Sequence, residues 1–150
     1  MGYILDLRRE LGHRPLIMTC AGVLFLNEKN EVLLQKRADN LCWGYPSGSM
    51  ELGETFEECA KREAFEESGL ICDELIYFTH ISGNHYIYPN GDEIYSAAVI
   101  FLCRRYHGEM KVQEEEVLEQ RFFSFDALPD DLSTTNRSTI MKLRDFILSE

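Results

Sequence analysis

Long apolar runs are missing from this chain: no stretch approaches the roughly 18 uninterrupted apolar residues that a membrane helix needs. The N-terminus, MGYILDLRRELGHR, carries acidic residues and no apolar h-region, so no signal peptide is expected and the cytoplasm is the default address. Basic residues are scarce. With 15 Lys and Arg against 26 Asp and Glu, the net charge is −11, which argues against a nucleic-acid polymer as partner because phosphate contacts need clustered cations. A phosphorylated small molecule bridged by a metal suits such a chain. The cysteines, Cys20, Cys42, Cys59, Cys72 and Cys103, are odd in number, widely spaced and include no C-x-x-C pair, so they are expected to be reduced core residues. There are no internal repeats and no low-complexity tracts. At 150 residues and 45% hydrophobic, the chain fits one compact domain with a real core over 1–150, of which 1–14 form a short N-terminal helix or arm.

What the chain does have is concentrated in GSMELGETFEECAKREAFEESGL, from Gly48 to Leu70. Thr55 with Glu58 has capping-box spacing and Gly69 suits a C′ position, which predicts a helix over 56–68. Glu63, Glu66 and Glu67 fall on one face of it, where residues three and four apart lie about 5–6 Å from one another at Cβ. Three carboxylates that close repel unless something neutralises them, and a hard divalent cation would. Charge runs are usually solvated faces. Here Ala60 and Ala64 adjoin Glu63 and Glu67 around the helix, so the acidic patch borders the small-residue stripe that would pack on a sheet.

Around this centre, 3–11 is expected to form a short amphipathic helix ended by Gly12 and Pro15, packing on the domain or on a partner chain. Residues 17–26 and 31–36 are expected to form a hairpin around Asn27–Asn30. Residues 37–47 are expected to be a loop, 71–81 and 94–103 strands, and 121–125 a further strand after an acidic segment at 109–119. The arm between the second pair of strands turns at Asn90-Gly91-Asp92 and carries His80, His85, Tyr86 and Tyr88, candidates for contact with a base or sugar. Residues 136–148 have Ile140, Leu143, Phe146 and Ile147 at helical spacing.

Gly48, Glu54, Arg62-Glu63, Glu66-Glu67 and Gly69-Leu70, at these intervals, resemble the Nudix box. The departures are Ala64 where a larger aliphatic is usual, and Ser49 and Ser47 where glycine is common. The resemblance, with the element order, implies an α/β fold: an α/β/α sandwich with a mixed β-sheet between helices. It implies a metal-dependent pyrophosphohydrolase, using Mg²⁺ or Mn²⁺, that cleaves the diphosphate of a nucleoside diphosphate joined to another group. ADP-ribose, a nucleoside triphosphate, a dinucleoside polyphosphate and a nucleotide sugar all remain open, as does a homodimer. A non-catalytic binding or regulatory module of the same fold is the alternative, and an isomerase of diphosphate lipids a further one. By resemblance the metal is held by Glu63, Glu66, Glu67 and the Gly48 carbonyl, with Glu54 nearby, while Arg62 ties Glu54 and the box loop to the helix. Family members commonly carry a further glutamate in the later acidic segment, which makes Glu116 the candidate for activating water, with Glu119 second. The catalytic set is thus Glu54, Arg62, Glu66, Glu67 and Glu116. Arg37, Trp43 and Tyr86 are the candidate substrate contacts, although a core plug is the commoner role for such a tryptophan.

Overall fold

In the computed structural model, which describes residues 2–150, the chain is organised around β1 (Leu16–Phe25). This strand runs parallel to β7 (Glu93–Cys103) along its whole length and pairs antiparallel with β4 (Ser47–Ser49) at Cys20–Gly22. A strand segment buried on both faces reads as a continuous apolar run instead of alternating, and Cys20–Phe25 of β1 are buried in this way, whereas its first four residues alternate and leave Ile17 exposed. Ala21, Val23 and Phe25 face one core with Cys59, Ala60 and Ala64 of α2 (Phe56–Ser68). Cys20, Leu24 and Leu26 face a second core with Ile140 and Leu143 of α3 (Thr134–Leu148). The result is the expected α/β/α sandwich around mixed strands.

The four-stranded sheet has the order β4-β1-β7-β6, with β6 spanning Ile76–Ile87. A three-stranded sheet, β3-β2-β9, is built from Trp43–Gly44, Val32–Arg37 and Val117–Phe123. Two short strands, β5 (Leu70–Cys72) and β8 (Tyr106–Gly108), pair with each other. The first helix, α1 (Tyr3–Leu11), ends at Gly12, whose φ of 66° few other residues accept. Among the described residues no helix is long and apolar enough to cross a membrane.

Three expectations are corrected. Strands β1 and β2 turn at Asn27–Asn30 but share only the single bridge Leu26–Val32, so no hairpin ladder forms. One edge of β1 is taken by β7 and the other by β4, and β2 finds its partners in β3 and β9. The single strand expected over 71–81 is two, β5 ending at Cys72 and β6 starting at Ile76, and β6 continues beside β7 to Ile87 across two register shifts, the second at Gly83 with φ 71°. Strand β9 starts at Val117 instead of 121, because Val117 is buried and Glu119 pairs with Lys36.

Candidate active site

Helix α2 is framed as its sequence predicts. The Thr55 hydroxyl accepts from the Glu58 amide at 3.1 Å, and the Glu58 carboxylate accepts from the Thr55 amide at 2.9 Å. Gly69 ends the helix in the left-handed conformation, φ 83°. Ala60 and Ala64 pack with no exposure on the sheet, and the same rotation carries Glu63 and Glu67 inward. Glu67 is 7% exposed, and its Oε1 accepts from the Ser47 amide at 3.0 Å. The Glu63 carboxylate lies against Gly48, where any Cβ would overlap it. That contact gives the glycine opening the box its physical reason. Glu66 stays half exposed at the rim.

Arg62 holds this corner together. Its Nε and Nη2 grip Glu54 at 2.6 and 2.9 Å in a bidentate pair, and Nη2 also donates to the Ser49 carbonyl at 3.0 Å. These contacts join Glu54 and the box loop to the helix. Arg62 reaches further than expected, however, with Nη1 at 2.8 Å from Glu63 and 3.4 Å from Glu66. Glu66 and Glu63 are therefore drawn toward the arginine, while Glu67 turns to Ser47. As they stand, the three carboxylates do not converge as the helical spacing suggests, and among the described residues no group of three His, Cys, Asp or Glu is arranged to hold a metal ion.

The electrostatics of the corner nonetheless fit a cation. Burial pushes Glu63 up to about 7 despite Arg62, with Glu66 and Glu116 adding to the rise. Burial, then Glu63 and Glu116, raise Glu67 well above the usual carboxylate range. The Glu54 carboxyl is held below it by the hydrogen bonds from Arg62. Two buried carboxylates that resist ionisation, with hard oxygen donors around them, are the chemistry that Mg²⁺ or Mn²⁺ offsets.

Arg62, Glu63, Glu66 and Glu67 line a cleft of about 970 Å³, the size of pocket that takes a nucleotide-scale ligand. Glu116 and its neighbour Glu115 line it. Glu119 does not, for it stands on β9 within 3.6 Å of Arg121. Arg37 also lines the cleft, already paired bidentately with Asp39 at 2.9 and 2.8 Å. Tyr86 lines it as well, its hydroxyl accepting from Asn40 at 3.0 Å and its ring edge-on to Tyr88 at 4.8 Å. Burial pushes the Tyr88 hydroxyl up to about 12.

Trp43 is a correction: it is 6% exposed in the α3-side core, edge-on to Phe123 at 5.0 Å, and does not reach the cleft. Its backbone is pinned on both sides, by Asp131 and Ser133, which turns the indole into the core. His80 and His85 also lie outside the cleft, bonded to Tyr77 and Glu93. Sequence reasoning missed Asn136, whose Oδ1 accepts from the Tyr45 amide at 3.0 Å and so fixes the approach to the box. An asparagine in the first turn of a helix is visible in sequence, but nothing there points to a partner 91 residues away. It missed Gln35 too, buried in β2, which donates to Gln120 at 3.1 Å, while Gln120 donates to the Ser68 carbonyl at the end of α2.

Comparison with known proteins gives a consistent picture. A model of the NUDIX domain matches residues 17–143. The NAD-capped RNA hydrolase NudC of Haemophilus influenzae (strain PittGG) is 36% identical over 89 residues, covering 59% of this chain and 31% of that protein. The 8-oxo-dGDP phosphatase NUDT18 of Mus musculus is 47% identical over 55 residues, covering 35% of this chain and 17% of that protein. The chain thus spans under a third of the length of these two curated relatives. Among solved structures, the MutT NUDIX hydrolase from Burkholderia pseudomallei superposes with a TM-score of 0.72 at 24% identity, over 86% of this chain and 97% of that one. A C. elegans Ap4A hydrolase binary complex gives 0.68 at 16% identity, over 89% and 99%. At these identities the two structures speak to fold alone.

Proposed function

The chain belongs to the NUDIX domain family, and on that premise we propose that it is a metal-dependent pyrophosphohydrolase cleaving the diphosphate of a nucleoside diphosphate joined to another group. The observation that carries this reading is the pair Glu63 and Glu67 in the lining of a nucleotide-sized cleft, Glu67 buried and Glu63 nearly so, both raised in pKa chiefly by loss of solvent. A structural helix has no use for two carboxylates in that position, since each costs stability when ionised. Glu63, Glu66, Glu67 and the Gly48 carbonyl would hold Mg²⁺ or Mn²⁺, with the Arg62 contacts to Glu63 and Glu66 giving way as they do so. When bound, the metal supplies positive charge to the diphosphate and lowers the pKa of water.

The remaining tasks fall to the chain's own groups. Arg62 keeps Glu54 and the Ser49 carbonyl fixed, so the box loop holds its shape beside crowded negative charge. Glu116, at the rim of the cleft, accepts a proton from the attacking water. Arg37 and Tyr86 contact the phosphate and the organic part of the substrate. The net charge of −11 supports a small molecule over a nucleic-acid polymer. One relative carries a capped RNA in its name, so RNA belongs among the substrates tested.

A non-catalytic nucleotide-binding module is the second reading, favoured by the Arg62 bonds that occupy Glu63 and Glu66. Incubation of the protein with ADP-ribose, NAD, diadenosine tetraphosphate, nucleoside triphosphates, nucleotide sugars and NAD-capped RNA, with Mg²⁺ and product analysis, separates the two. Release of a nucleoside monophosphate or of pyrophosphate supports the hydrolase. Saturable binding without turnover of any member supports the module.

A further inference from the structure

Helix α1 lies outside the matched domain, which begins at residue 17. A surface helix ordinarily stays in place by burying an apolar stripe, whereas α1 fully buries no residue and leaves Ile4, Leu7 and Leu11 half-buried. Polar ties hold its two ends. At the start, the Tyr3 amide donates to the Glu51 carboxylate at 2.9 Å. Glu51 belongs to the box loop, and its own amide donates to Glu54 at 2.8 Å, the same carboxylate that Arg62 grips. Toward the far end, the Arg8 side chain is 9% exposed and donates to the Glu93 carbonyl at 2.7 Å, with its Nε 3.7 Å from Asp92. His13 meets the same Asp92 at 2.7 Å. Asp92 and Glu93 sit at the tip of the β6–β7 hairpin, so α1 is strung from the box loop to that tip.

Between these anchors, Ile4 and Leu5 line the cleft, and Leu5 is 57% exposed within it. The sheet contributes Met18, Ile81 and Ile94 to the same cleft. Apolar side chains from α1 and from the sheet thus line the same open cleft as the acidic corner. A bound organic group of suitable shape would bury both sets at once.

We propose that α1 is a substrate-gripping lid, with Ile4 and Leu5 closing over the organic part of the substrate and Glu51 tying the lid to the box loop. The proposal rests on the hydrolase reading for its substrate, but not for its geometry. The lid favours substrates that offer a planar or apolar group at this end of the cleft, and it takes no part in bond cleavage.

The test pairs kinetics with amide exchange. In the double variant Ile4→Ser/Leu5→Ser, KM for the best substrate of the panel should rise about tenfold while kcat stays within about twofold, the pattern of lost binding with unchanged chemistry. In the wild-type protein, backbone amides of residues 3–11 should exchange more slowly when that nucleotide is added with Mg²⁺, and this protection should vanish in the variant. A merely structural helix would give neither the KM-only change nor the ligand-dependent protection. Unchanged KM in a variant with native circular dichroism, or no protection of 3–11 by any nucleotide of the panel, overturns the lid. If the wild-type protein cleaves nothing, the hydrolase reading fails by itself and the exchange measurement alone decides the lid.

Discussion

Glu67 sits where an ionised carboxylate costs the fold stability. Burial of its carboxyl raises its pKa well above the usual range, Glu63 and Glu116 add to the rise, and Arg37 and the amide hydrogen bond from Ser47 oppose it. Glu63 beside it is pushed up to about 7. A carboxylate whose folded pKa exceeds its unfolded value binds more protons when folded, so stability falls as pH rises between the two values and stays reduced above them. Metal-free protein should therefore melt at a lower temperature at pH 8 than at pH 5.5, and Mg²⁺ at pH 8 should recover much of the difference. A melting temperature that is flat between those pH values in EDTA contradicts the assignment. Glu67→Gln keeps the acceptor for the Ser47 amide and removes the charge. It should raise the metal-free melting temperature at pH 8 while lowering kcat by about two orders of magnitude or more. Thermal unfolding and steady-state kinetics on the same preparation check both halves, and a variant that is less stable and fully active reverses the argument.

At the scale of elements, α2 depends on its ends because its buried face is mostly small residues. Thr55→Ala removes the capping hydroxyl and should cost about 1 kcal/mol of stability, readable from urea unfolding. This helix was legible in sequence to the residue, since capping box, alanine stripe and terminal glycine are local signals. The hairpin assigned to β1 and β2 was not, because a turn sequence reports the turn and not which edge each strand later pairs with. Trp43 fails for a similar reason, as burial there is set by Phe123 and Leu132 from distant segments. The acidic segment left Glu116 and Glu119 undecided, and only the pairing of β9 with β2 separates them. Glu119 stands in the ladder opposite Lys36, while Glu116 lines the cleft. Glu116→Gln should lower kcat at least about tenfold, or about 1.4 kcal/mol of barrier, whereas Glu119→Gln should leave it near wild type. Equal and small effects from the two substitutions at saturating Mg²⁺ would return the water-activating role to the box helix.

Across the whole molecule, β1 separates two cores and delivers β4 and the box loop to the end of α2. The box residues, with the order of the elements, signalled the family, so the sandwich was foreseeable, while the pairing of β1 was not. The ring of side chains around that corner, including Asn136, Gln35 and α1, was not, because each reaches the cleft through contacts distant in sequence. All of these features converge on one claim, that the corner hydrolyses a diphosphate with a divalent cation. Turnover of the nucleotide panel, followed by phosphorus NMR first in EDTA and then with Mg²⁺, tests it most directly. The account predicts no cleavage in EDTA and, with Mg²⁺, conversion of at least one diphosphate-linked nucleotide in wild type but not in Glu67→Gln. Cleavage that persists undiminished in EDTA, or a folded wild-type protein that cleaves nothing in the panel with Mg²⁺, contradicts it.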